Sequence, residues 1–449
     1  MRVLVIGGGP AGCMAAFTLR RLGHEVCLYE AAPQLGGRTA VVDLDGVRVE
    51  TGAVLLFSFY HRTLGLLREL GQERALQERQ LVFGLHDGSS LVAVRYRSPL
   101  DGAWIPWLSW REKIGLARMF LHAAVRPRLD LFDLDALVAA DRGQTIADWT
   151  RARVSAAAFE YVVRPMIEPI CLVGCAEAAT PLLEGLLQVT PRVRFYHLSG
   201  GMDRLCHWLA AGIDVHLAQP IRQLEITPRQ VRAQRTNGTT LTADAVVVAT
   251  DAPTAAGLFP DTPTARALTE IRYASSTLVV LGWRNGAWCE AEVSSVTPVG
   301  TGEHMVRMLS RFSHRCPDLL PPGAEAIGVY FDHAASHPVD EEALIQAARR
   351  AVARYLPGVA PAPDLAYVVH HPRAATVPVP GQYATLRRLR LPQRLQLAGD
   401  YFSTASVEAA VRSGERAAQT LHEALASHPG TTISLVSHSL SRSSHSVPM

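Results

Sequence analysis

The sequence predicts an α/β fold in which a parallel sheet, assembled from separated stretches, carries a second domain of mixed sheet and helices. Three observations predict it. Residues 2–6 form an apolar, β-branched run that ends in Gly7-Gly8-Gly9-Pro10-Ala11-Gly12 and continues into a helix and a second strand. Residues 243–250 (Ala-Asp-Ala-Val-Val-Val-Ala-Thr) read as a fully buried strand. Near the end, Leu395 to Ala398 is another, followed by Gly399-Asp400 and a helix rich in small residues.

The first element is the strand Arg2 to Ile6. A helix follows over Met14 to Leu22, with apolar or small residues at 15, 16, 19 and 22, and then a strand from His24 to Tyr29 closed by Glu30. Strand, Gly-x-Gly-x-x-Gly, helix, strand, acid is the dinucleotide fingerprint of a Rossmann-type domain. Gly7 permits the tight turn, Gly9 lets backbone approach a pyrophosphate, and Gly12 lets helix pack on strand. Pro10 and Ala11 open the helix, whose N-terminal N–H groups and dipole favour phosphate. Glu30 is placed to accept hydrogen bonds from ribose hydroxyls, and its charge would repel a 2′-phosphate.

Six residues beyond Glu30 comes Gly36-Gly37-Arg38. A hairpin follows (Ala40 to Leu44, Asp45-Gly46, Val47 to Glu50), and then Gly52-Ala53. Farther on, Gly200-Gly201-Met202-x-x-Leu205 opens a helix. Next come a strand at Asp214 to Leu217, Ile221, an alternating stretch from Leu224 to Val231, a turn at Asn237-Gly238, and the buried strand ending in Ala249-Thr250. After Gly399-Asp400, residues 406–418 form the last helix, with Glu408-x-Ala410 and Ser413-Gly414.

The acid, the Gly-Gly-Arg loop and Glu50-x-Gly52-Ala53 resemble the flavin amine oxidase, protoporphyrinogen oxidase and carotenoid desaturase superfamily. The later return strand and the Gly-Asp-helix closure support the same resemblance, which covers about a third of the chain and matches no single member closely. It implies FAD, held by Gly7, Gly9, Pro10, Ala11, Gly12, Glu30, Gly36, Gly37, Arg38, Gly52, Ala53, Ile221, Ala249, Gly399, Asp400, Ser406 and Val407. In such proteins the N–H groups near Ser406 and Val407 face the flavin N1 and C2 carbonyl. The cysteine that tethers flavin in some members would fall near Arg373, so non-covalent FAD is expected.

On this reading the FAD-binding domain comprises 1–59, 199–260 and 385–426, and 60–198 with 261–384 form the substrate domain. The first insert has helical apolar periodicity at 61–80, 109–125, 144–162 and 178–188. The second mixes strands at 273–283, 326–332 and 366–370 with a helix at 339–355, giving a sheet of about six strands. Residues 427–449 are Ser- and His-rich without periodicity and read as a disordered tail. Composition fits: 449 residues, 48% hydrophobic and 19% charged, bury a large core, and a net charge of +3 argues against a nucleic-acid binder. No window is apolar enough to span a membrane, and the early strand leaves no room for a leader, so a cytoplasmic location is expected. Seven scattered cysteines lack paired spacing, so reduced thiols and no metal site are expected. Lys113 is the sole lysine beside many arginines, a bias that fits a GC-rich bacterial genome.

Many amine oxidases of this superfamily have a lysine holding water near flavin N5; aligned on 271–281, Leu278 stands there. Their tyrosine cage would map to Ala374 and Ser406. The resemblance therefore implies a hydride-removing enzyme of the protoporphyrinogen oxidase or desaturase kind, forming C=C or C=N in a medium-sized, largely apolar substrate, in a biosynthetic setting. Electrons would pass to O2 or a diffusible acceptor. The alternatives are an amine oxidase using O2, a non-redox isomerase or dehydroxylase, and a binding module that retains the flavin. Pocket candidates are Tyr401 and His197 as catalytic groups, with Phe195, Tyr196, Tyr330, His333, His370 and His371 behind them. Trp104, Trp107 and Trp110, near Arg111, Lys113, Arg118 and Arg126, are expected to fill core or cavity, with peripheral membrane contact as the other reading. The oligomeric state is not legible.

Overall fold

The computed structural model describes residues 1–95, 104–284, 292–302, 305–332, 340–359, 362–427 and 433–434. Five parallel strands form the first sheet, in the order Asp214–His216, Glu25–Tyr29, Arg2–Ile6, Ala245–Val248 and Leu395–Leu397. Side chains alternate between its faces, so each strand must be apolar on both sides. Val3, Val5 and Val247 enter one core with Met14, Leu19 and Val411. Leu4, Ile6, Val246 and Val248 enter the other with Tyr383, Tyr401 and Phe402. Helix Pro10–Arg21 lies in the first core against the closing helix Val407–Ala426.

The second sheet has seven strands: Leu365–Thr376, Tyr273–Trp283, Glu325–Asp332, Val306–Arg311, Ser295–Pro298, Phe83–His86 and Leu91–Val94. It is mixed, because Ser295–Pro298 runs parallel to Phe83–His86 while its other pairings are antiparallel. Val279, Leu281, Ile327 and Val329 face helix Glu341–Tyr355. Leu278 and Val280 face the opposite core with Phe312. Helices Trp110–Ala124, Ile146–Arg153, Arg164–Cys171 and Thr180–Val189 share a further core. The protein is thus α/β, a Rossmann-type sheet joined to a mixed sheet with a helical layer.

Several elements differ from expectation. The helix expected over 61–80 covers only His61–Glu69. Gly71 stops it in a left-handed conformation (φ 67°), and Gln72 N–H bonds back to Leu67 O at 2.8 Å. Leu76–Arg79 then becomes a strand paired with Phe195–Leu198. The helix expected over 144–162 breaks after Arg153 and restarts at Ser155, whose hydroxyl caps Ala158 N–H. A π-helical turn, Phe159–Val163, leads from there into Arg164–Cys171. Ile433–Ser434 pairs with Arg390–Leu391, so that fragment of the supposed tail finds backbone partners on a short strand. Among the described residues no helix is long and apolar enough to cross a membrane.

Candidate functional site

A cleft forms where the parallel strands end, and glycines let its walls close up. Gly7 sits at φ 109°, and a methyl there would meet the Ala249 carbonyl oxygen at 2.8 Å. At Gly12 a methyl would stand 1.8 Å from the Gly7 carbonyl oxygen, so only hydrogen fits. Gly9 is different: the nearest atom to a methyl there would be Gly36 O at 4.0 Å, which leaves its outer side open. Pro10 occupies the first turn of the following helix.

The acid and the second glycine loop are pinned to the first. Glu30 accepts from Gly8 N–H at 2.5 Å and from Ala32 N–H at 2.7 Å. Its own carbonyl accepts from Gln219 N–H at 2.9 Å, two residues before Ile221 begins the next strand. Gly36 N–H donates to Gly8 O at 2.9 Å. Arg38 then reaches across to donate to Asp400 at 2.6 Å and to Ala374 O at 3.3 Å. Its carbonyl accepts from Ala53 N–H at 2.9 Å, and a methyl on Gly52 would lie 2.1 Å from that oxygen.

The far wall comes from the C-terminal segment. Gly399 N–H donates to Ser413 Oγ at 3.0 Å. Ser406 caps helix Val407–Ala426, accepting from Ala409 N–H at 3.1 Å. Gly414 brings this helix against the first one, since a methyl there would stand 2.1 Å from Ala11 O. Glu408, buried, accepts from Arg62 N–H, Thr63 N–H and the Thr63 hydroxyl at 2.9, 2.8 and 2.7 Å. These residues fit a flavin dinucleotide: open backbone at Gly9, an acid at the second strand end, an Arg–Asp pair, and the start of a 20-residue helix.

Beside Ser406 lies an apolar cavity. Phe57, Phe59, Tyr60, Phe132 and Phe195 line it, with Leu131, Met166, Ile170, Leu186 and Val193. Its polar lining consists of Thr190, Thr404, Ser406, Cys171 and the Tyr60 phenol, and among the described residues no charged side chain takes part. The aromatic rings support one another, Phe57 on Tyr60 at 5.1 Å and Tyr60 on Phe132 at 5.7 Å between centroids. Burial pushes the Cys171 thiol up to about 12, so it stays protonated. Burial also raises the Tyr60 phenol.

The two catalytic candidates from sequence are not on this cavity. Tyr401 is wholly buried behind the sheet, tilted on Phe402 at 4.6 Å, and burial holds its phenol well above its ordinary range. The 3-10 turn Asp400–Phe402 carries it, with Phe402, into the second core. His197 is also fully buried, between Glu50 and Asp318, two residues farther along its strand than Phe195. Its neighbour Phe195 does reach the cavity. Tyr196 and Tyr330 are core residues. His370 contacts Thr277 Oγ1 at 3.0 Å, and His371 Nε2 lies 2.7 Å from Thr51 O, next to the Arg38 loop. His333 lies outside the described residues. Phe57, Phe59, Tyr60 and Phe132 were missed; the aromatic cluster at 57–60, directly after Gly52-Ala53, was the available signal.

The tryptophans correct a further expectation. Trp107 is half-buried on Tyr161 and donates to Asp87 at 2.7 Å, but Trp104 and Trp110 are 82% and 76% exposed. They flank a capped helix start at Ser109 rather than filling a core.

The sheet order and the glycine loops are those of a Rossmann-type dinucleotide-binding fold. The chain belongs to the flavin containing amine oxidoreductase family, whose pattern it matches over residues 10–422. It is 28% identical over 288 residues to the 15-cis-phytoene desaturase of Arabidopsis thaliana, covering 58% of this chain and 50% of that protein. With coproporphyrinogen III oxidase of Bacillus subtilis the identity is 22% over 376 residues, 75% of this chain and 78% of the relative. The chain spans about half the length of the desaturases it matches. Among solved structures, cyclohexylamine oxidase from Brevibacterium oxydans superposes with a TM-score of 0.75 at 17% identity, over 95% of this chain and 99% of that one, which shows the shared fold.

Proposed function

We propose that this protein uses non-covalently bound FAD to remove hydride from a medium-sized, largely apolar substrate, forming a C=C or C=N bond in a biosynthetic pathway. The observation that carries this reading is the charge-free aromatic cavity beside Ser406. A protonated amine buried there would meet no carboxylate, and burying an unpaired charge costs several kcal/mol. An apolar molecule instead recovers about 25 cal/mol for each Å² of surface removed from water. The relative named as a phytoene desaturase agrees with a substrate of this character.

Bound FAD supplies the hydride acceptor. Glu30 would hold ribose hydroxyls, the Arg38–Asp400 pair would fix the loop over the dinucleotide, and the helix beginning after Ser406 would offset negative charge through its dipole. The cavity walls orient the substrate and exclude water. Cys171 and Tyr60 stay protonated there, so none of the lining groups is poised as a general base; hydride removal then relies on positioning.

The test is anaerobic mixing of FAD-loaded protein with three probes: a porphyrinogen, a polyene and an alkylamine. Loss of flavin colour with either apolar probe, slowed at least tenfold by Ile170→Asp, is the expected result. Bleaching by the alkylamine alone would overturn it in favour of an amine oxidase. Conversion at constant mass without an acceptor would establish an isomerase. Admitting air then separates an oxidase, which recovers its colour with peroxide, from a dehydrogenase that does not.

A further inference from the structure

Away from the cleft, three buried side chains from distant parts of the chain aim ligand atoms at one another. Glu50 ends strand Val47–Glu50, His197 lies on Phe195–Leu198, and Cys316 follows the short helix Phe312–Arg315. One ligand atom from each lies within 4.8 Å of the others, and all three residues are fully buried. Glu50 uses one carboxylate oxygen to accept Met202 N–H at 2.9 Å; the other has no partner. Neither ring nitrogen of His197 makes a hydrogen bond, although Nε2 stands 3.7 Å from Glu50 and Nδ1 stands 3.2 Å from Asp318. Leaving such groups unsatisfied in a core is costly, which calls for a ligand.

We propose that Glu50, His197 and Cys316 bind a divalent metal ion of the zinc class. Thiolate sulfur, imidazole nitrogen and carboxylate oxygen are the donors such an ion takes, and three protein ligands leave the fourth position to water. The charges close: one thiolate and one carboxylate neutralise a dication, as a buried site requires. On binding, the sulfur–metal bond forms as Cys316 releases its proton to solvent, with no change of oxidation state. Nε2 faces Glu50, so Nδ1–H is left to donate to Asp318, the outer partner that fixes a metal-bound imidazole. Asp318 also accepts from Gly200 N–H at 2.8 Å and Ser199 Oγ at 3.0 Å. The ion would therefore tie the hairpin that precedes Gly52-Ala53 to the Gly200-Gly201 turn. Sequence spacing hides such a site, because its ligands lie in three distant segments.

A second cluster, Cys27, Asp214 and His216, offers a contrast. Cys27 Sγ lies 3.9 Å from the Arg2 guanidinium, and His216 bonds to Asp214 at 3.0 Å while stacking on Tyr29 at 4.4 Å. Its groups already have partners, and a cation would sit beside a guanidinium.

The test uses the full chain, stripped with a chelator, dialysed, and given Zn2+ or Co2+ alone. About one zinc per chain should be retained, and melting temperature should rise by a few degrees. Co2+ should produce a thiolate charge-transfer band with the visible bands of a four-coordinate site. Cys27→Ser should keep these signals, and Cys316→Ser and His197→Gln should lose them. Where those two variants fail to fold, alkylation mapping of the wild type under mild denaturant decides: zinc should protect Cys316 and leave Cys27 unprotected. Wild type that retains no metal, a cobalt band that survives Cys316→Ser, or equal labelling of both cysteines would overturn the site.

Discussion

Gly9 and Gly12 are three residues apart at the start of one helix and should fail in opposite ways when given a methyl group. At Gly12 the new carbon would lie 1.8 Å from Gly7 O, more than 1 Å inside the closest approach that real side chains show. Both atoms belong to rigid backbone, so helix and strand must separate. Alanine gains up to about 1 kcal/mol of helix propensity there, against overpacking of about 3 kcal/mol or more. The net result is an apoprotein destabilised by at least about 2 kcal/mol. At Gly9 the backbone is extended (φ −78°, ψ 179°), which alanine adopts freely, and the methyl would meet nothing nearer than 4.0 Å. Apoprotein stability should stay within about 0.5 kcal/mol. The methyl would instead occupy the space a pyrophosphate needs, lowering FAD affinity at least about tenfold, or 1.4 kcal/mol. Urea unfolding of the two apoproteins and FAD titration by flavin fluorescence measure both quantities. A Gly9→Ala protein that binds FAD like wild type, or a Gly12→Ala apoprotein as stable as wild type, would refute the reasoning.

Arg38→Ala should strip FAD and cost about 2 kcal/mol, because it leaves the buried Asp400 carboxylate without its counter-charge while the exposed part of Arg38 tempers the loss; retention of the yellow colour after gel filtration would contradict it. Burial depresses the imidazoles of His24, His86, His314 and His371, with the Thr51 carbonyl partly opposing this at His371. Their folded forms thus bind protons less readily than the unfolded chain, so stability is fully present above about pH 6.5 and falls on acidification. His371→Gln should flatten part of that slope in urea melts between pH 7 and 5, and an unchanged slope would remove His371 from the account. Trp104 and Trp110 stand exposed beside Lys113 and Arg118, so the wild type should sediment with anionic vesicles. Replacing both by serine should weaken that binding at least about tenfold; absence of binding by the wild type would end the idea of peripheral membrane contact.

The cofactor cleft was legible because its demands are local. Gly7, Gly12 and Gly52 each face backbone at a distance only glycine tolerates, and the strands between them are apolar on both faces. The substrate side was harder to read, because its requirements are tertiary. Phe59 and Phe132 are far apart in sequence and stack only once folded. Tyr401 illustrates the limit: proximity to Asp400 in sequence placed it at the flavin, whereas a single step along the chain turns it through the sheet into the opposite core. The break at Gly71 was visible as a glycine, but only its pairing partner at 195–198 explains why the chain resumes as a strand.

The order of strands in the parallel sheet also bears on how the chain is made. Its outer member, Leu395–Leu397, pairs with Ala245–Val248, and the helix that locks onto Ala11 through Gly414 meets a partner about 400 residues earlier in the chain, so both leave a ribosome long after the strands they complete. Contacts of such long sequence separation form slowly, and until they form the apolar faces of Arg2–Ile6 and Ala245–Val248 remain uncovered. A nascent chain halted before residue 395 would therefore expose an unfinished sheet edge and suit a holdase chaperone.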